Sequence, residues 1–95
     1  MARAIFDGVV IAESDDVSVV EGITYFPLES VVDGALLDSP TTTRCFWKGK
    51  ANYFHVDSGE DTSLDSAFIY RAPWILARRK VGGRVGFWRD VSIEH

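Results

Sequence analysis

Asp7-Gly8 stands between two apolar runs, residues 2–6 and 9–12, and constrains the fold more than any other feature of the chain. A two-residue Asp-Gly loop favours the positive φ angles of a type I′ turn, whose twist matches that of antiparallel strands. Glu21-Gly22 repeats the arrangement between residues 17–20 and 23–26. Pro27 then withholds a backbone donor and ends that ladder. A chain that opens with two tight hairpins is committed to antiparallel β structure.

Beyond them, Leu28, Val31, Val32, Ala35 and Leu36 follow the spacing of one helical face, so one or two helical turns are expected there. Gly34 interrupts the segment at a cost of about 1 kcal/mol relative to alanine, and Asp38-Ser39-Pro40 closes it. A strand is expected over residues 41–47, with Lys48-Gly49 as the turn and 51–56 as the returning strand. Residues 57–63 read as a polar loop and 65–70 as a strand, which Pro73 breaks. Residues 74–80 fit either a single helical turn or an irregular crossing. Gly82-Gly83 leads into strands over 84–88 and 91–94. Seven or eight short strands at this spacing predict a mainly β fold, a small barrel-like form or two stacked sheets.

The 95 residues are expected to form one domain, 1–95, because two cores would each be too small to stand alone. A chain of this length buries roughly 65% of its unfolded surface. Aromatic residues make up 13% of it and supply large buried area each. Cys45 is the sole cysteine, which excludes an intramolecular disulfide and any zinc site built on two thiolates. With only His55 and His95 besides, no metal and no cofactor is expected. No charged leader precedes an apolar run and no stretch reaches membrane-spanning length, so the expectation is a cytoplasmic protein without membrane contact.

Net charge is −4, which makes nucleic acid an unfavourable partner. Residues 1–43 carry eight acids and one base, whereas residues 44–95 carry nine bases and six acids. That division either pairs internally or across a dimer, or leaves a basic cavity for an anion in the second part.

Chemistry-bearing side chains concentrate in residues 44–55. Strand alternation places Ala51, Tyr53 and His55 on one face, and Cys45 and Trp47 likewise share one. An indole, a phenol, a thiol and an imidazole can therefore gather on one hairpin with Lys48 at its tip, forming either ordinary core or a pocket wall. Cys45 and His55 are the catalytic candidates, on the condition that the imidazole reaches the sulfur. Residues 78–84 hold three bases ahead of Gly82-Gly83, but no Gly-Lys-Ser/Thr follows, so they make a basic patch and not a nucleotide loop.

The run Cys45-Phe46-Trp47-Lys48-Gly49-Lys50-Ala51-Asn52-Tyr53 resembles a bacterial and fungal family, the domain of unknown function numbered 427. Glu21, Tyr25-Phe26-Pro27, Ala67, Tyr70 and Val85-Gly86-Phe87-Trp88 resemble its flanking motifs. Phe46 stands where the family usually has proline, and Phe68-Ile69 replaces an aromatic pair. The resemblance implies a β-tent architecture, similar to that of methionine sulfoxide reductase B and a guanine-nucleotide-exchange protein. Those relatives pin their sheets with cysteine-bound zinc, so a chain with one cysteine must rely on aromatic packing. A nucleotidyltransferase label also travels with the family, yet no Gly-Ser followed by a spaced Asp-x-Asp pair occurs here.

Three functions are compatible with these residues. The leading one is a domain binding a small polar or anionic ligand in a pocket lined by Tyr25, Trp47, Tyr53, Tyr70 and Trp88, with Arg44 and Lys48 at its rim. The alternatives are a cysteine-dependent enzyme using Cys45, and a structural protein that pairs as a homodimer through exposed aromatics.

Overall fold

The computed structural model describes residues 1–95. Nine strands form: β1 (Ala2–Phe6), β2 (Val9–Ser14), β3 (Ser18–Val20), β4 (Ile23–Pro27), β5 (Leu36–Cys45), β6 (Gly49–Asp57), β7 (Thr62–Ile69), β8 (Arg84–Phe87) and β9 (Ser92–Glu94). They make two antiparallel sheets, a three-stranded one in the order β2-β1-β9 and a six-stranded one in the order β3-β4-β8-β7-β6-β5. Neither closes into a barrel. The fold is mainly β, as the turn pattern predicts. No helix is long and apolar enough to cross a membrane.

Both early hairpins carry the expected turn. Asp7 and Gly8 have φ of 55° and 73°, and Glu21 and Gly22 have φ of 53° and 81°, the signs a type I′ loop requires. The segment after Pro27 supplies one of the one or two helical turns expected there. It is a 3-10 turn, Leu28–Ser30, after which Val31 is extended and the chain turns at Asp33-Gly34. Val31 bridges Ala12, and the Val32 amide donates to the Ile11 carbonyl at 2.8 Å. Leu28 and Val32 are exposed, so the apolar spacing there is not a buried face. Two adjacent β-branched residues followed by Gly34 at φ 85° suit an extended, turning backbone better than a helix.

Strand β5 begins at Leu36, well before the expected start at residue 41, and runs straight through Pro40. Proline is tolerated because β5 is the edge strand and its register shifts between Asp38 and Thr42. The Asp65 carboxylate holds the irregularity, accepting hydrogen bonds from the Ser39 hydroxyl at 2.6 Å and the Thr41 hydroxyl at 2.9 Å. The Ser39 bond, opposed by burial and aided by Thr41 and His55, keeps the Asp65 pKa below the usual aspartate range. Asp65→Ala is therefore expected to destabilise the protein by about 1–3 kcal/mol, the cost of leaving half-buried hydroxyls without their charged acceptor. Chemical denaturation checks this, and it should show a lower midpoint with an unchanged m-value.

Strand β5 also ends at Cys45, so Trp47 lies in the 46–48 turn and not within a strand as expected. The open question over residues 74–80 resolves as turns followed by a four-residue helix, α1 (Arg78–Val81).

The central strands of the large sheet are buried on both faces, and the two faces feed different clusters. One cluster joins Ala2, Ala4, Phe6, Ile11 and Ala12 of the small sheet to Phe26, Phe54, Val56, Ala67, Ile69, Val85 and Phe87 of the large one. The other holds Val20, Tyr25, Ala51, Phe68 and Tyr70, covered by Ala77 and Val81. Consecutive residues such as Tyr25 and Phe26, or Ala67 and Phe68, thus point to opposite clusters, as strand alternation dictates. The first face is sealed by a sheet. The second is covered only by the 74–81 segment, and what this cover leaves open becomes the candidate site.

Candidate functional site

An open cleft of about 170 Å³ lies on that second face, lined by Ile23, Tyr25, Lys48, Tyr53, Phe68, Tyr70 and Trp88. Each side chain arrives by strand alternation. Ile23 and Tyr25 are two apart on β4, Tyr53 stands on β6, and Phe68 and Tyr70 are two apart on and just after β7. Trp88 follows β8, its indole N–H donating to the Asp65 carbonyl at 2.7 Å. Phe68 is the hub, with ring centroids 5.9 Å from Tyr25, 5.5 Å from Tyr53, 6.1 Å from Tyr70 and 6.3 Å from Trp88. Three of these four contacts are edge-to-face, the geometry aromatic quadrupoles prefer.

Gly86 makes this convergence feasible. A Cβ there would sit 2.9 Å from both Ile23 and Tyr25 and 3.0 Å from Phe68. The bare strand lets the rings close over β8. Gly86→Ala is expected to cost about 1–3 kcal/mol through overpacking and to displace the Tyr25 and Phe68 rings. Thermal denaturation together with near-UV circular dichroism reads both effects, and an unchanged aromatic spectrum would refute the displacement.

Lys48 is the charged member of the lining, its side chain only 8% exposed. Its ammonium donates to the Glu21 carboxylate and lies 5.2 Å from the Trp47 ring centroid and 5.5 Å from that of Tyr70. Burial pulls the Lys48 pKa down, but the Glu21 bond and the neighbouring Tyr70, Cys45 and Glu21 groups outweigh it, leaving it above the ordinary lysine range. The same bond and the lysine's charge hold Glu21 below the usual carboxylate range. Glu21 reaches over from the tip of the β3–β4 hairpin, and its side chain is 58% exposed.

The remaining polar groups differ in one decisive respect. The Tyr53 hydroxyl shares a hydrogen bond with Thr43 at 3.1 Å. Tyr25 is fully buried, and its hydroxyl has no hydrogen-bond partner at all. Burial, reinforced by nearby Tyr70 and Glu21, pushes its pKa far above the ordinary tyrosine range. Burial raises Tyr70 too, although Lys48 works against the shift. Both phenols are therefore protonated donors at neutral pH.

A family model described as a domain of unknown function (DUF427) matches residues 1–95. The chain belongs to that family. No curated protein matches it.

Of the residues singled out in this DUF427 chain, Tyr25, Lys48, Tyr53, Tyr70 and Trp88 come together in the cleft. Trp47 packs half-buried behind Lys48 and does not line it. Arg44 is exposed and not part of the lining; alternation sets it opposite Thr43 and Cys45, which face the second cluster. Cys45 and His55 are not brought together. Cys45 pairs with Gly49 and His55 with Leu37, at opposite ends of the β5–β6 hairpin, about 20 Å apart along the strand. The His55 ring instead accepts the Asp65 amide at 3.0 Å.

Glu21, Ile23, Phe68 and Gly86 are the site residues that sequence reasoning missed. Glu21 and Gly86 were among the positions carrying the family resemblance, and that was the available signal. No group of three or more His, Cys, Asp or Glu side chains is placed to hold a metal.

A second surface feature sits at the same end of the large sheet. The Trp74 amide donates to the Lys48 carbonyl at 3.1 Å, which docks the 72–77 loop against the 46–48 turn. Trp74, Ile75 and Leu76 are exposed there, and Phe46 is 87% exposed at the turn. Between Ser66 and Arg89 the sequence has six bases and no acid.

Proposed function

We propose that this DUF427 chain binds a small polar ligand in the aromatic cleft, with Tyr25 as its buried hydrogen-bond donor. The observation that carries this reading is the Tyr25 hydroxyl, fully buried and unpartnered in the wall of an open cleft. Buried polar groups are nearly always satisfied, and an orphan just beneath an open concavity supports an acceptor supplied by a ligand. The flat rings around it supply apolar contact area, which supports a ligand with an apolar body and a polar end. The two-sheet arrangement, joined by apolar packing, supports the β-tent description that the family resemblance implies.

Titration of the intact protein with small ring-bearing acids, amides and nucleosides, followed through Trp88 fluorescence and thermal shift, tests the reading. Saturable binding by at least one compound, lost in Tyr25→Phe, is the expected result. The absence of any saturable response across the set would overturn it.

A second reading, association with a macromolecular partner, is favoured by the exposed Phe46, Trp74, Ile75 and Leu76. The exposed Arg78, Arg79 and Lys80, which follow closely on Trp74-Ile75-Leu76, direct that face toward an acidic protein surface and away from the same face of a second copy, where like charges would meet. Sedimentation velocity should then show a monomer at all concentrations. A concentration-dependent dimer abolished by Phe46→Ser would instead establish self-association.

A further inference from the structure

We infer that the cleft selects an uncharged flat ring bearing a hydrogen-bond acceptor over the corresponding anion, and that Glu21 sets this preference. The inference rests on the binding reading above and narrows the ligand class that reading leaves open.

Size gives the ring. The cleft holds about 170 Å³, close to the roughly 150 Å³ of a dry apolar cavity that accommodates benzene. Five of its seven lining residues are aromatic, so a planar guest meets π faces and edges on most sides.

The hydrogen-bond inventory gives the acceptor. The Tyr53 hydroxyl is engaged by Thr43, the Trp88 indole N–H by the Asp65 carbonyl, and the Lys48 ammonium by Glu21. The Tyr25 hydroxyl is the fully buried donor left without a partner, and the Tyr70 hydroxyl in the same lining is a second donor. A ligand therefore presents an acceptor toward the two phenols and apolar surface elsewhere.

Charge balance gives neutrality. Lys48 is the one cation in the lining, and Glu21 already neutralises it from the solvent side. Arg89 lies 4.5 Å from the Trp88 ring centroid and donates to the Leu64 carbonyl, but it is not in the lining. An anion entering the cleft gives up its hydration among aromatic walls, meets a cation already paired, and feels the Glu21 carboxylate behind it. A neutral carbonyl incurs neither the desolvation of a full charge nor the repulsion.

Benzamide and benzoate test this as a matched pair, since they share shape and differ in charge. Dissociation constants at pH 7 are read from titrations of the Tyr25 and Trp88 ring signals by NMR. The expected result for the unmodified protein is at least tenfold tighter binding of benzamide. Glu21→Gln frees the Lys48 charge and should shrink that ratio tenfold or reverse it. Lys48→Met should retain benzamide binding and fail to rescue benzoate.

Benzoate binding as tightly as benzamide to the unmodified protein would overturn the inference and leave the cleft reading standing. Failure of both compounds to perturb Tyr25 or Trp88 would remove the cleft reading and this inference with it. If Glu21→Gln does not fold, Lys48→Met decides the role of the pair: benzamide binding retained supports it, and benzamide binding lost refutes it.

Discussion

Replacing Tyr25 with phenylalanine should make the empty protein more stable and leave it unable to hold a ligand. The ring stays, so the contacts with Phe68 and the close approach to Gly86 are preserved. Only the hydroxyl goes, and that hydroxyl is fully buried without a partner. An unsatisfied buried polar group costs about 1–3 kcal/mol, so its removal should recover a gain in that range. For a domain of this size each kcal/mol moves Tm by roughly 4–8 °C, a shift that calorimetry resolves easily. Most substitutions at a fully buried tyrosine would lower Tm, which makes the predicted sign discriminating. A Tm that falls would mean that the hydroxyl is satisfied in the free protein, and the argument for a missing acceptor would fail. A gain in stability coupled to a loss of binding is the trade expected where a binding group is kept at the expense of the fold.

The parts of this architecture that were legible from the residues are those fixed by local stereochemistry. Asp7-Gly8 and Glu21-Gly22 demand positive φ, and their hairpins formed where the pattern placed them. The aromatic lining was legible in the same way, because Tyr25 and Tyr53 sit at strand positions, and Tyr70 one residue past β7, whose parity sends them to one face.

What was hidden depended on tertiary partners. Pro40 reads as a strand breaker, and only the edge position of β5 and the Asp65 carboxylate make it admissible. The helical spacing of residues 28–36 yields one 3-10 turn and no more, because the pairing of Val31 and Val32 with Ala12 and Ile11 is invisible to periodicity. Glu21 was hidden for a related reason. Its backbone makes the turn, while its side chain answers a lysine 27 residues away, and no local pattern reports the second role.

That second role predicts an unequal response when the Glu21–Lys48 pair is broken from either side. Lys48 is buried and Glu21 is mostly in solvent. Removing the lysine as Lys48→Met keeps the stem packed against Trp47 and Tyr70 and leaves behind only a hydrated carboxylate. Its Tm should change by no more than about 2 °C. Removing the acid as Glu21→Ala strands an ammonium in a desolvated site, and Tm should fall by several degrees. The pH dependence separates the two cases further. In the intact protein the Glu21 pKa is lowered, so its contribution is present above the ordinary glutamate range and lost as pH falls through the lowered value. The Lys48 pKa is raised, so its contribution is present below the ordinary lysine range and lost as pH rises through the raised value. In Glu21→Ala, burial acts on Lys48 without its counter-ion and drives that pKa down. Stability should then increase with rising pH as the stranded ammonium loses its proton, the reverse of the alkaline limb in the intact protein. Denaturation midpoints measured from neutral to alkaline pH on both variants check the sign. Parallel alkaline limbs in Glu21→Ala and the intact protein would show that Lys48 is solvated, and the charge-balanced cleft would have no physical basis.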